Sequence, residues 1–495
     1  MDFLDPKKQR SHTIRLMIGY VLVGLAILIG TTILLFAAYG FGLGKDQQVI
    51  QKGFVYVSSQ PSPAQVYLNG QLNKSATNTR LSLVSGEYYM QLKRSGYRDW
   101  QREITVVGGT VEHYDYPFLF PQNLVTTNVK AYTAAPSLAT QSLDQRWLIV
   151  AEPGAIGSFD EYDLKNPKQA PIVLTLPDGV LSGASSTEGW QLVQWSNDNV
   201  HVLLQHTFDG SSEYVMLDRQ DPTQSFNLTN TLGTNPTAIT LRDQKYDQYY
   251  LYDTTSHALQ TATLKDPTPI SFLTDVYGYK DYGSDMMLYA TTDKAPTGKV
   301  VINLIQGGTT YQLRTAAAGT TYMLDLAQHN GDWFVAAGAS SEDRVYIYKD
   351  PVAQLQSDQN DPPIAVPIQI LKVSGANYLA FSSNTQFIVD EGGTNFAVYD
   401  DQNDALYNYT VASPMDSGQA HATWMDGSHL EYTSGGKLLV FDFDRANIQT
   451  LMSASPNYQP FYGPSYKFVD SLATPSSDPN QTVLTTTALL TPQDQ

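Results

Sequence analysis

The sequence predicts an all-β ectodomain on a single N-terminal transmembrane helix, with a small β-sandwich followed by a seven- or eight-bladed β-propeller. Three observations lead there. Residues 16–44 carry no charge, residues 53–120 alternate apolar and polar positions between turn signals, and residues 121–488 repeat a strand pattern. The composition agrees. The 32 Tyr among 495 residues suit pleated, half-buried surfaces better than helices. The 35 Gly and 26 Pro supply the turns that many short strands need.

The uncharged run is about 29 residues long, where about 20 suffice to cross a bilayer. Lys7, Lys8, Arg10 and Arg15 flank it on the N-terminal side, against Asp2 and Asp5. Positive flanks stay in the cytoplasm, so residues 1–15 are expected as a cytoplasmic tail and everything after Lys45 outside. The expectation is a single-pass signal-anchor protein of the cell membrane. A cleaved signal peptide is the alternative, but its apolar region spans only roughly 7–15 residues.

Residues 53–120 read as a compact β domain. Phe54-Val-Tyr-Val-Ser, Ala64-Gln-Val-Tyr-Leu, Glu87-Tyr-Tyr-Met-Gln-Leu and Arg102-Glu-Ile-Thr-Val alternate or nearly so. Asn69-Gly70 tolerates positive φ at both central positions of a tight hairpin. Ser85-Gly86 and Gly108-Gly109 punctuate the later strands. The string Val57-Ser-Ser-Gln-Pro-Ser-Pro-Ala-Gln-Val-Tyr-Leu-Asn-Gly70, then Leu81-Ser-Leu-Val-Ser-Gly86-Glu-Tyr and Arg94-Ser-Gly-Tyr-Arg-Asp-Trp100, resembles a PEGA domain. It departs from that family at Asn78-Thr-Arg, where Thr-Pro is usual. The resemblance implies a binding or spacer module of a bacterial surface protein, without catalytic residues. Its motif positions here are Pro61, Pro63, Ala64, Gly70, Gly86, Gly96, Tyr97 and Trp100. The prolines stiffen a strand entry, the glycines serve turns, and Tyr97 and Trp100 are expected in a core.

Residues 121–488 repeat. The clearest unit is Gln194-Trp-Ser-Asn-Asp-Asn-Val-His-Val-Leu-Leu204, followed by Ser212-Glu-Tyr-Val-Met-Leu-Asp218. A second is Thr423-Trp-Met-Asp-Gly-Ser-His-Leu-Glu-Tyr432, followed by Lys437-Leu-Leu-Val-Phe-Asp442. Weaker copies begin near Asp144, Lys245, Gly283, Gly331, Ser383 and Gly463. The spacing of roughly 45 residues is that of a four-stranded propeller blade. A run of sandwich domains is the alternative, with periods nearer 90–100 residues, about one domain each. The unit resembles the Trp-Ser-x-Asp repeats of TolB-like and dipeptidyl-peptidase-type propellers. The Pro-rich stretch Asp361-Pro-Pro-Ile-Ala-Val-Pro reads as a loop between blades, Thr482-Val-Leu-Thr-Thr-Thr-Ala-Leu-Leu as the closing strand, and 489–495 as a loose tail.

Chemistry is sparse. A net charge of −18 argues against nucleic acid, and the absence of Cys removes disulfides, thiolate metal sites and a cysteine nucleophile. There is no G-x-S-x-G, no H-E-x-x-H and no phosphate-cradling loop. His201 and His206, five apart on one strand, fall on opposite faces and are not placed to share a metal. Asp400-Asp401-Gln-Asn-Asp404 invites a calcium reading but lacks the loop's Gly and terminal Glu, so an Asx-rich turn is expected. No cofactor, metal or catalytic residue is assigned. The leading reading is a non-enzymatic, membrane-anchored binding or scaffolding protein that recognises an envelope protein or a cell-surface polymer. An orphan enzyme with its site at the propeller mouth is the alternative.

Overall fold

The computed structural model describes residues 6–38, 40–43, 49–183, 187–283, 286–319, 321–357, 363–475, 478 and 481–494. These divide into two compact units, one ending at Asn123 and one beginning at Leu124.

The first unit opens with helix α1, Pro6–Ala38. Its segment Thr13–Phe36 has a mean hydropathy of 2.4, and none of it is buried in the chain. At about 1.5 Å per residue, this length matches a bilayer core of about 30 Å. The helix is shifted relative to the uncharged run. Lys7, Lys8, Arg10 and Arg15 lie inside it, and it ends before residues 41–43. Those form a strand, β1 (Phe41–Leu43). The reason is local. Gly40 takes φ +77°, and a Cβ there would lie 2.7 Å from the Lys52 carbonyl oxygen, so the chain turns at a glycine and pairs instead. Gly44 and Lys45 lie outside the described residues.

Seven further strands follow: β2 (Val49–Val57), β3 (Gln65–Leu68), β4 (Gln71–Ala76), β5 (Thr79–Val84), β6 (Gly86–Lys93), β7 (Trp100–Val106) and β8 (Val111–Tyr114). They build two sheets, β4-β3-β6-β7 and β1-β2-β5 with β8 parallel to β2. Asn69 (φ +50°) and Gly70 (φ +78°) make the two-residue turn between β3 and β4. Because side chains alternate, each sheet offers one apolar face. Val55, Val57 and Leu81 from one meet Val66, Met90, Leu92, Trp100 and Ile104 from the other.

The second unit is an eight-bladed propeller. Seven four-stranded antiparallel meanders follow in chain order, as blade 1 (139–175), blade 2 (188–227), blade 3 (238–273), blade 4 (276–317), blade 5 (322–372), blade 6 (378–410) and blade 7 (423–453). First strands adjoin between blades 2 and 3, 4 and 5, and 5 and 6, which puts first strands innermost. Second strands such as Leu148–Val150, Val202–Leu204 and Phe387–Val389 are buried on both faces, since each blade is covered on both sides.

Blade 8 (461–488) departs from the expected closure. Thr482–Ala488 is its third strand, and the fourth is β9 (Val125–Tyr132), from the other end of the unit. Leu484 pairs with Lys130 and Val483 with Ala131. Sharing one blade between both chain ends closes the ring without an exposed seam. Beyond it, Leu489 is fully buried and its N–H donates to the Lys467 carbonyl. The Pro-rich stretch also differs. Its described part falls within blade 5, between the third and fourth strands, not between blades.

Candidate binding surfaces

The motif residues of the first unit serve its frame. The bonds preceding Pro61 and Pro63 are both cis. Ala64 is fully buried, where its N–H donates to the Thr77 hydroxyl oxygen at 2.7 Å. Gly70, Gly86 and Gly96 have φ of +78°, +156° and +82°, and Tyr97 and Trp100 are each 1% exposed.

In the propeller, the repeated histidines and aspartates form staples. His201 Nδ1 lies 2.6 Å from Asp198, and its Nε2 faces Asp218, which ends the third strand of blade 2. His429 repeats this in blade 7, with Nδ1 2.8 Å from Asp426 and Nε2 3.4 Å from Asp442. Blade 1 uses Arg146 on Asp163 at 3.0 Å, and blade 6 uses Gln386 on Asp400 at 3.1 Å. Each staple ties the residue entering the second strand to the aspartate ending the third. Burial disfavours the charged His429, yet Asp426 and Asp442 outweigh it and hold its pKa up at about 10. His206 points elsewhere and sits fully buried 2.9 Å from Glu213.

The Asp400–Asp404 segment closes a hairpin. Asp400 accepts the backbone N–H groups of Gln402 and Asn403 at 3.1 and 3.3 Å, Asp401 meets His329 at 2.6 Å, and Asp404 accepts the Tyr399 hydroxyl at 2.9 Å. Among the described residues, no three His, Cys, Asp or Glu side chains are grouped to hold a metal ion.

A second set of polar groups stitches neighbouring blades. Gln194 accepts the Leu241 N–H at 2.8 Å, Asp325 that of Phe381 at 3.2 Å, and Glu391 that of Ala422 at 2.8 Å. Gln141 donates to the Tyr462 carbonyl at 2.6 Å, joining blade 1 to blade 8. These contacts satisfy innermost-strand groups that no further strand can pair. Burial pushes the Asp390 and Glu391 carboxyls up to about 7 and about 8. As consecutive strand residues, they point to opposite faces of blade 6 and do not share a pocket. Between the first strands of blades 4 and 5, Lys280 meets Asp325 at 3.2 Å. Between other neighbouring blades, His257 stacks on Tyr277 at 4.1 Å and His421 on Tyr378 at 3.5 Å.

Blades radiate from the axis, so the gap between neighbours widens towards the rim. An opening of about 890 Å³ lies there between blades 7 and 8. Thr126 and Asn128 of β9, Thr485, Ser453, Ser455 and Lys437 line it, with no carboxylate and no aromatic ring among the described residues of its walls. Thr127 and Val129 help line a second cleft of about 620 Å³, next to Pro167 and Pro171 of blade 1. Sequence reasoning missed both clefts, because each needs β9 brought beside blade 8.

Residues 52–118 match the PEGA domain family. Among solved structures, the Dos1 propeller is similar at 12% identity and a TM-score of 0.44, over 74% of this chain and 95% of that one. An oligogalacturonate lyase in complex with manganese is similar at 10% identity and a TM-score of 0.40, over 74% and 98%. Hsv2p of Kluyveromyces lactis is similar at 12% identity and a TM-score of 0.39, over 65% and 99%. Among curated proteins, nothing matches.

Proposed function

We propose that this chain is a membrane-anchored binding or scaffolding protein of the cell envelope. In this reading α1 crosses the membrane, with residues 1–15 cytoplasmic and the rest extracytoplasmic. The PEGA domain at 53–120 spaces the propeller at 121–488 from the bilayer. The propeller takes its ligand, a hydroxyl-rich surface polymer or an extended segment of an envelope protein, in the cleft between blades 7 and 8.

One observation carries the reading. A chain with net charge −18 presents a cleft of about 890 Å³ with no carboxylate among its described lining residues, walled by hydroxyls, an amide, small residues and the Lys437 ammonium. Such a wall offers hydrogen bonds to neutral or anionic polymers and no charge repulsion. A catalytic reading needs acid and base groups in one cavity. Instead, Glu391 is turned to Ala422 of the next blade and Glu431 to the Tyr462 hydroxyl.

The test is co-sedimentation of the full chain, held in lipid nanodiscs, with cell-wall material before and after protein stripping. Saturable retention on stripped glycan, lost in Ser453→Trp, supports polymer binding in this cleft. Retention on unstripped material alone assigns a protein ligand. Retention on neither overturns the reading.

A further inference from the structure

The two outer faces of the PEGA domain differ in charge. On β4-β3-β6-β7, the outward positions include Glu87 and Glu103, and Lys93 is paired with Asp99 at 2.7 Å. On the other sheet, Val55, Val57 and Leu81 point into the core, so the alternate positions of β2 and β5 face out. Those positions are Lys52, Phe54 and Tyr56, opposite Val84, Ser82 and Arg80, and none is acidic. Parallel strand β8 adds Val111 beside Phe54 and His113 beside Tyr56. The Arg80 guanidinium lies 4.8 Å over the Phe54 ring, and His113 stacks on Tyr56 at 4.9 Å. Neither Lys52 nor Arg80 has a carboxylate partner among the described residues.

This face adjoins the end of α1. Ala38 and Gly40 share a pocket of about 260 Å³ with Lys52, Phe54, Arg80 and Ser82. Phe36, in the last turns of the helix, packs against Phe41 of β1 at 5.1 Å. A helix that spans a bilayer ends at the headgroups, where aromatic rings and cations are both favoured. Two cations and a hydroxyl around the helix end, among half-exposed apolar side chains, suit the phosphate of a lipid headgroup better than bulk water.

We propose that the outward face of the β2–β5–β8 sheet, through Lys52, Arg80, Phe54 and Tyr56, seats on the headgroups of anionic lipids in the leaflet from which α1 emerges. The proposal rests on the reading of α1 as a membrane anchor. It makes the PEGA domain a lipid-docked pedestal, with its aromatics at the interface and its more acidic sheet turned to water.

The chain has no cysteine, so Val84→Cys and Thr105→Cys each accept one nitroxide on the full-length protein, on opposite sheets. Both are placed in nanodiscs of phosphatidylcholine with or without phosphatidylglycerol. Collision rates with oxygen and with a water-soluble nickel chelate are then compared. In discs containing phosphatidylglycerol, the label at 84 is expected to favour oxygen several-fold more than the label at 105. The double variant Lys52→Glu, Arg80→Glu is expected to abolish that contrast while the protein stays in the disc. Equal water access at both positions in every disc overturns the proposal. So does a contrast that persists in phosphatidylcholine alone and survives charge reversal. Release of the protein from the discs by alkaline wash instead overturns the anchor reading, an outcome distinct from the other two.

Discussion

The hydroxyls of Thr126 and Thr487 meet at 2.8 Å although 361 positions separate them in the chain. They sit on β9 and on the third strand of blade 8, where the two ends of the propeller sequence are zipped into one sheet. Nearby, Gln141 of blade 1 reaches the Tyr462 carbonyl of blade 8, so the blade that is zipped from both chain ends is also tied to its neighbour.

Closure depends on Tyr132 at the end of β9. Its ring is 1% exposed, and its hydroxyl lies 2.9 Å from both Asp160 and Tyr162. Tyr132→Phe keeps the ring and removes the hydrogen bonds, for an expected loss of about 1–3 kcal/mol. Tyr132→Ala also opens a cavity and should cost about 3–5 kcal/mol. Denaturant midpoints of the two variants, compared with the parent, measure both.

The propeller should lose stability as the pH rises from mildly acidic to alkaline. Burial raises Asp390 and Asp470 to about 7, and Glu391 and Glu431 to about 8. Unfolded, these groups titrate near about 4, so in between the folded state holds more protons and stability falls with rising pH. His429, raised to about 10, adds the same sign. Its contribution is complete below about 6.5, its unfolded value, and is lost as pH passes through the folded value. Asp163, Asp198 and Asp426 are held below the usual carboxylate range, by Arg146 and by the two histidines, in each case against burial. Their contribution is lost as pH falls into the acid range. The thermal midpoint is therefore expected to be higher near about pH 5.5 than near about pH 8.5. Asp470→Asn should flatten that slope.

The blade stitches should be separable from the blades. Gln194→Met preserves side-chain length and leaves the Leu241 N–H without its acceptor. The expected cost is about 1–3 kcal/mol. Faster hydrogen exchange at the Leu241 amide, with blades 2 and 3 otherwise protected, is the signature to look for.

In the PEGA domain, Gly53 is required by close approach. A Cβ there would lie 2.5 Å from the Val107 carbonyl oxygen and 2.6 Å from a Val106 methyl. Gly53→Ala should cost about 1–3 kcal/mol through overpacking. Trp100→Ala, in the core of the same unit, should cost about 3–5 kcal/mol through a cavity. Amide protection across 52–118 reports both.

Local chemistry was legible in the sequence where the relevant partners lie within one turn or one blade. Asn69-Gly70 makes its hairpin because few other residues tolerate positive φ at both positions. Asp218 and Asp442 were visible as strand-ending aspartates, and the structure ties each to the histidine that opens the preceding strand. The blade period was legible as a loose repeat, clear in two units and weaker in the others, since a repeated core demands a repeated apolar pattern. Closure by β9, the cleft beside Thr126 and Asn128, and the cationic face of Lys52 and Arg80 were not legible. Sequence by itself determined the elements and their alternation, because propensity and periodicity act over a few residues. Only the tertiary structure decided the ring, its clefts and its charged face. Those join strands that propensity treats as unrelated, and long-range burial and pairing alone select them.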